Sequence, residues 1–445
     1  MLKIKQFYDE GLAHASYALI SNGKMAVVDP GRDPSPYYKH AQENDAEIVA
    51  VLETHPHADF VSSHAEIAGK TGAPIYVSEK LKAKYKHQPL KDRESISIGS
   101  AKIIARETPG HSPDSLSYLV IDEDNRQHSV FTGDTLFVGD VGRPDLREDI
   151  QDSSTQREKL ARQMYNSTRN VLMQLERNVL VYPAHGAGSL CGKNLSSDTV
   201  STIGRELEEN PSLQPMSEDE FVHKLLEDQP YIPKYFKYDV ALNQEGAPPY
   251  NESLTKVSRL TDDERLKPEV LIVDTRSQER FKNCHIAGSI NIQEGGKFET
   301  WLGSIVAPDE KFYLLADSES CLDSVVRKAA KIGYEPNIEG AIVNKCPGAQ
   351  HDNYINLEHF KAKPENYTII DVRNQSEVEE KVAFKSAINI PLHQLRERVK
   401  EVPQEKPIVV HCAAGYRSAA AFSILNKALP QAEVYDLSSA IKQYL

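Results

Sequence analysis

Four short segments carry the side chains that could hold a metal: Thr54-His55-Pro56-His57-Ala58-Asp59-Phe60, Thr108-Pro109-Gly110-His111-Ser112, Phe131-Thr132-Gly133-Asp134 and Tyr182-Pro183-Ala184-His185-Gly186. Imidazole and carboxylate donors without cysteine suit zinc, iron or manganese. Each segment follows an apolar run that reads as a strand. Donors just past several strand ends converge on one rim of a sheet, which is where α/β folds build sites. Taken singly, each histidine has an ordinary reading as a core or surface residue, and His40, His87 and His223 keep it. Four donor-bearing strand ends in this order point to a metal centre.

A second chemistry lies near the C-terminal end. Ile408-Val409-Val410-His411 reads as a strand, Cys412-Ala413-Ala414-Gly415-Tyr416-Arg417-Ser418 as a tight loop, and Ala419–Leu425 as a helix. That order aims backbone N–H groups and the positive helix end at the cysteine. With Arg417 nearby, those dipoles favour the nucleophilic thiolate and cradle a persulfide anion. The plainer alternative is a cysteine packed at a strand end. Cys191, glycine-flanked and shortly after His185, reads as lying at the mouth of the metal site. There it could relay sulfane sulfur or be a buried, inert thiol.

These residues need elements to place them. The chain has 445 residues, which predicts about two to four domains. Hydrophobic residues make up 40% and charged residues 26%, enough to build real cores. A net charge of −13 argues against a long basic face for nucleic acid. The first ten residues lack a signal peptide's apolar core and no later stretch is long enough to span a bilayer, so a cytoplasmic protein is expected. Five scattered cysteines without CxxC spacing predict reduced thiols.

Short apolar runs alternating with helical stretches predict α/β layers. Examples are Ile48–Leu52, Ser129–Thr132 and Val179–Tyr182, with an amphipathic helix expected from Ser154 to Glu176. Gln244-Glu245-Gly246-Ala247-Pro248-Pro249 reads as a linker. Beyond it the sequence repeats: Val270–Arg276 is echoed by Tyr367–Arg373, and Ala287–Ile292 by Lys385–Ile390. Matched landmarks at nearly one offset indicate a duplicated α/β domain. Aligning Phe312–Ser318 with the cysteine strand sets Asp317 opposite Cys412, with Cys284 and Cys321 elsewhere. A carboxylate cannot accept sulfur as a thiolate does.

The metal segments resemble the metallo-β-lactamase superfamily over about residues 1–240. The family's HxHxDH pattern ends here in Phe60. In dinuclear members such as glyoxalase II the missing histidine binds a second metal, which phenylalanine cannot do. The superfamily's persulfide dioxygenases bind a single Fe(II) through positions that correspond to His55, His111 and Asp134. Two histidines and a carboxylate form the facial triad of non-haem iron oxygenases. Gly142-Arg143-Pro144-Asp145 resembles a segment near the thiol-persulfide site. Arg143 would there neutralise an anionic substrate, or else make a structural salt bridge. His57, Asp59 and His185 would orient ligands and ordered water.

The Cys412–Arg417 loop resembles the rhodanese active-site loop, and Asp371-Val372-Arg373 its DVR segment. The whole chain resembles bacterial persulfide dioxygenase–sulfurtransferase fusions. That implies a metallo-β-lactamase αββα sandwich over 1–245, a degenerate rhodanese over 246–352 and an active rhodanese over 353–445. It also implies one Fe(II) per dioxygenase domain, with a low-molecular-weight thiol persulfide, O₂ and sulfite as reactants. Cys412 would pass sulfane sulfur to sulfite, giving thiosulfate. A homo-oligomer is expected, with neither nucleic acid nor membrane as partner. Glutathione, coenzyme A, bacillithiol and cysteine all remain open as the carrier thiol. Two alternatives stand beside this: a glyoxalase II-like thioester hydrolase fused to a sulfurtransferase, and a non-catalytic sulfur carrier or persulfide sensor.

Overall fold

The computed structural model describes residues 2–147, 153–261, 265–343 and 354–445. Cys346 and the boundary expected at 352/353 lie outside these. The chain divides into two units, Met1–Ser253 with Ala330–Gly333, and Leu254–Ala329 with Tyr334–Leu445. Among the described residues no helix is long and apolar enough to cross a membrane.

The first unit holds two six-stranded sheets. One runs in chain order through β1 (Lys3–Asp9), β2 (His14–Ser21), β3 (Lys24–Val28), β4 (Glu47–Leu52), β5 (Ile75–Ser78) and β6 (Gln88–Leu90). The other contains β7 (Ser95–Ile98), β8 (Ala101–Glu107), β9 (Leu116–Ile121), β10 (Gln127–Gly133), β11 (Leu180–Pro183) and β12 (Ser201–Thr202). Every residue of β2 is buried, because its side chains alternate between two cores. Tyr17 and Leu19 meet Ile103, Tyr118 and Phe131 between the sheets. Ala18 and Ile20 face outward onto Tyr37 and Ile67, from the helices Ser35–Glu43 and His64–Thr71. On the far side, Val130 and Val181 pack with Met164 of the helix Ser153–Asn170 and Phe221 of the helix Glu218–Leu226. The result is the expected αββα sandwich.

Two expectations about element ends need correcting. The helix expected to Glu176 stops at Asn170, and a 3-10 turn follows at Leu172–Gln174. Leu172 and Leu175 enter the same core as Met164, so the apolar pattern outlasts the helix. The linker is also shorter than it read, because the helix Phe236–Glu245 takes in its first two residues and ends on Gly246.

The second unit contains the duplicated fold. One sheet has the order β13 (Arg259–Leu260), β17 (Ile338–Val343), β16 (Phe312–Ala316), β14 (Leu271–Asp274), β15 (Ile290–Asn291). The other has the order β19 (Ile388–Asn389), β18 (Thr368–Asp371), β20 (Ile408–His411), β21 (Val434–Asp436). Short parallel strands buried on both faces explain the unbroken apolar runs. The duplication extends to side-chain bonds. Asn291 Nδ2 donates to the carbonyls of Asp274 (3.0 Å) and Arg276 (2.9 Å), and Asn389 Nδ2 donates to those of Asp371 and Arg373 (both 2.9 Å).

The strand register corrects the alignment of the two copies. Asp371 pairs with His411 and Asp274 pairs with Leu315, so Ala316, not Asp317, stands where Cys412 does. Asp317 instead takes an ion pair with Arg280 at 2.5 Å. The middle copy still has no nucleophile at that position. The expectation of reduced thiols holds for Cys191, Cys321 and Cys412 but fails for Cys284, which is disulfide-bonded.

Candidate active sites

His55, His111 and Asp134 follow β4, β8 and β10, and their donor atoms lie within 4.8 Å of one another, all buried. His55 Nε2 and His111 Nε2 are 3.8 and 3.4 Å from Asp134 Oδ2. The turn that delivers Asp134 requires Gly133, whose φ is +52° and where a Cβ would sit 2.5 Å from Thr54 Oγ1.

The hydrogen bonds fix which ring nitrogens are free. Thr54 Oγ1 donates its proton to Asp29 Oδ2 at 2.9 Å, so at 3.0 Å it accepts from His55 Nδ1. His111 Nδ1 lies 2.8 Å from the Arg143 carbonyl, which can only accept. Both rings therefore turn an unprotonated Nε2 inward. His55 Nε2 and both Asp134 oxygens are buried without a hydrogen-bond partner. Bare donors of this kind are costly in a core unless a cation satisfies them. The residues fit a bound metal ion. Burial, then the neighbouring His57, holds His55 well below the ordinary imidazole range, and burial likewise lowers His111.

Of the other motif residues, His57 turns to Asp29 while His185 stays beside Asp134. His57 Nε2 faces Asp29 Oδ1 at 3.2 Å, and His185 Nε2 faces Asp59 Oδ2 at 3.3 Å and Asp134 Oδ1 at 3.6 Å. Burial opposes protonation of both rings, but the surrounding carboxylates, Asp29 first for His57 and Asp134 and Asp59 for His185, together raise both above the ordinary imidazole range. Phe60 is 1% exposed, with its ring 3.7 Å from that of His14 and 4.4 Å from that of His57. An aromatic stack fills the position where the family pattern has its third histidine.

Arg143 is buried and its guanidinium grips Asp145 at 2.7 and 2.6 Å, with a further bond to the Leu190 carbonyl. It braces His111 and the turn at Cys191, whose carbonyl accepts from Arg143 N at 3.0 Å. Of the two readings of this arginine, the geometry is that of the structural salt bridge. Cys191 is not at a mouth. It is 1% exposed beside Asp134 and His185, and burial, then the Asp59 and Asp134 charges, pushes its thiol far up. Sequence reasoning missed Asp29, His14 and the role of Thr54. Asp29 sits in Val27-Val28-Asp29-Pro30-Gly31, a carboxylate at a strand end, and that placement was the available signal.

In the second unit Cys412 directly follows β20 and is 2% exposed. Gly415 N donates to Cys412 Sγ at 3.1 Å, and Ser418 Oγ lies 3.6 Å from the sulfur. Gly415 has φ +110° and opens the helix Tyr416–Ala428, so strand, loop and helix follow in the expected order, but the helix begins at Tyr416 and takes in the last three residues read as loop. Ala414 is exposed at the loop tip, while Ala413, Tyr416 and Arg417 are half-buried. The Arg417 guanidinium takes the Glu377 carboxylate at 2.5 and 2.6 Å.

This pairing of a strand-end His/His/Asp cluster with a separate cysteine loop agrees with the comparisons. Residues 9–185 match the metallo-beta-lactamase superfamily model, and residues 253–342 and 356–445 each match the rhodanese-like domain. The chain belongs to the metallo-β-lactamase superfamily and carries two rhodanese-like domains after that fold. It is 32% identical to a metallo-beta-lactamase from Staphylococcus aureus subsp. aureus COL, at a TM-score of 0.69 over 77% of this chain and 98% of that one. It is 31% identical over 174 residues to the "Probable polyketide biosynthesis zinc-dependent hydrolase PksB" of Bacillus subtilis (strain 168), covering 38% of this chain and 70% of that protein. It is 26% identical over 222 residues to "Persulfide dioxygenase ETHE1, mitochondrial" of Mus musculus, covering 49% of this chain and 77% of that protein.

Proposed function

We propose that the chain is an iron-dependent persulfide dioxygenase coupled to a thiosulfate-forming sulfurtransferase. The observation that carries this reading is the three-donor cluster of His55, His111 and Asp134 with Phe60 beside it in place of a further ligand. The proposed domains are 1–245 for the dioxygenase, 246–352 for the degenerate rhodanese and 353–445 for the active one.

The overall oxidation balances as RSSH + O₂ + H₂O giving RSH, sulfite and two protons. The three side chains would hold Fe(II), which supplies coordination positions for the persulfide sulfur and for O₂. The chain's own residues keep that site in order. Asp29 and Thr54 hold the His55 ring with its Nδ1 protonated, and the Arg143 carbonyl does the same for His111. Phe60, His14 and His57 form a buried aromatic stack beside it.

The second step uses Cys412. Its sulfur attacks the outer sulfur of a persulfide, breaking the S–S bond and releasing RSH, and the Gly415 N–H steadies the charge on sulfur. Sulfite then attacks the outer sulfur of the cysteine persulfide; a new S–S bond makes thiosulfate and the Cys412 thiolate leaves. Carrying both activities on one chain raises the effective concentration of sulfite at the acceptor.

A glyoxalase II-like hydrolase is the second reading, favoured by the His57, Asp59 and His185 cluster beside Asp134. Incubation with glutathione persulfide in an oxygen electrode tests the proposal. Equimolar O₂ uptake supports it; no uptake, with thioester hydrolysis proceeding anaerobically, refutes it.

A further inference from the structure

The middle rhodanese-like copy lacks a nucleophile, yet its side chains reach the back of the Cys412 loop. Lys282, in the helix Gln278–Asn283, is 7% exposed. Its Nζ lies 2.7 Å from Asp436 Oδ2 and 2.8 Å from Ser438 Oγ, both in the catalytic copy. A lysine rarely gives up water so completely without a task for its charge.

That charge holds a strained turn. Ser438 has φ +48°, a backbone conformation that a serine seldom adopts. Two bonds to Asp436 keep it there, from Ser438 N to Oδ1 and from Ser438 Oγ to Oδ2, both 2.7 Å. The Ser438 backbone in turn backs the Cys412 loop: a Cβ on Gly415 would lie 3.1 Å from Ser438 C and 3.3 Å from Ser439 N. Gly415 is the residue whose N–H reaches Cys412 Sγ. Two further bonds run from the middle copy to the helix after the loop. Tyr416 Oη donates to the Gln293 carbonyl at 2.7 Å, and Asn291 N donates to Ser423 Oγ at 2.8 Å.

We propose that the middle copy is the rear half of the sulfur-transfer site, and that Lys282 is the positioning residue through which it sets the Cys412 loop. This rests on the reading of Cys412 as the sulfur acceptor. The Asp436–Ser438 turn, pinned by Lys282, fixes Gly415 and hence the N–H that faces the sulfur. The middle copy thereby acts on sulfur transfer without touching the substrate.

The test uses the full-length chain and two readouts: the rate of Cys412 alkylation by iodoacetamide, followed by peptide mass spectrometry, and steady-state thiosulfate formation. Lys282→Met is expected to slow alkylation and lower kcat by about tenfold, leaving KM for sulfite within about twofold, because the loop is misplaced and not the sulfite site. Lys282→Arg is expected to restore most of both. Tyr416→Phe, which loses only the bond to Gln293, is expected to move both in the same direction and serves alone if Lys282→Met does not fold. Wild-type rates in Lys282→Met, or in Tyr416→Phe standing alone, overturn the proposal. Failure of the underlying reading looks different: wild-type Cys412 then takes up no sulfur from a persulfide donor, whatever the variants do.

Discussion

His57 Nε2 lies 3.2 Å from Asp29 Oδ1, facing a carboxylate at the end of β3. The same carboxylate holds Thr54, and through it the His55 ring. One buried aspartate thus occupies the second motif histidine and orients the first. Asp29, which carries no recognised motif, decides how the motif is used.

Thr54→Val tests that relay. Valine matches the shape but removes the acceptor for His55 Nδ1, so the ring loses its fixed tautomer. Iron affinity is expected to fall by about 10–100-fold. Competition with a chelator measures it, and an unchanged affinity would show that Thr54 has no part in orienting the ligand.

Phe60→His tests the role of the aromatic stack. It returns an imidazole to the space beside His14 and His57, next to the His57, Asp59 and His185 cluster. Metal content after growth with zinc is expected to rise from about one toward about two ions per chain, as added donors permit. Elemental analysis against wild type decides it; equal contents would mean that Phe60 does not limit the site to one ion.

The two activities are expected to separate by mutation. Cys412→Ser should leave O₂ uptake largely intact while thiosulfate gives way to sulfite. Asp134→Ala should abolish uptake and iron binding while Cys412 still takes up sulfur from a persulfide. Loss of both activities in either variant would contradict separate sites.

Glu377→Gln tests the pair that holds Arg417. Burial favours the neutral carboxyl, but the Arg417 hydrogen bonds and charge outweigh it and hold Glu377 below the ordinary range. A depressed carboxyl stabilises the fold above its unfolded value of about 4.3, and that contribution is lost as pH falls through the lower folded value. The variant is expected to be less stable than wild type by about 1 kcal/mol at neutral pH, allowing for screening of a partly exposed pair. Chemical denaturation should show the gap closing as pH drops below about 4. A gap independent of pH would place the effect in packing.

Much of this was legible in the sequence because it is written locally. Strand-end donors such as His111 and Asp134, and the small-residue loop after Cys412, carry their geometry in a few adjacent residues. The duplication was legible because both copies keep the Asp–x–Arg turn and its asparagine. What escaped lay in long-range contacts. Asp29 meets Thr54 only once β3 and β4 pair. Lys282 and Asp436 are far apart in the chain, and only packing joins them. The choice of Asp317 over Ala316 failed because an alignment without strand register slips easily by one residue.

The central claim is a single iron held by three side chains. Metal content of anaerobically purified protein, measured together with O₂ uptake on adding a persulfide, tests it most directly. The account predicts about one iron per chain and one O₂ consumed per persulfide, both lost in Asp134→Ala. Two zinc ions per chain, with no O₂ uptake and hydrolysis of a thioester instead, would contradict it.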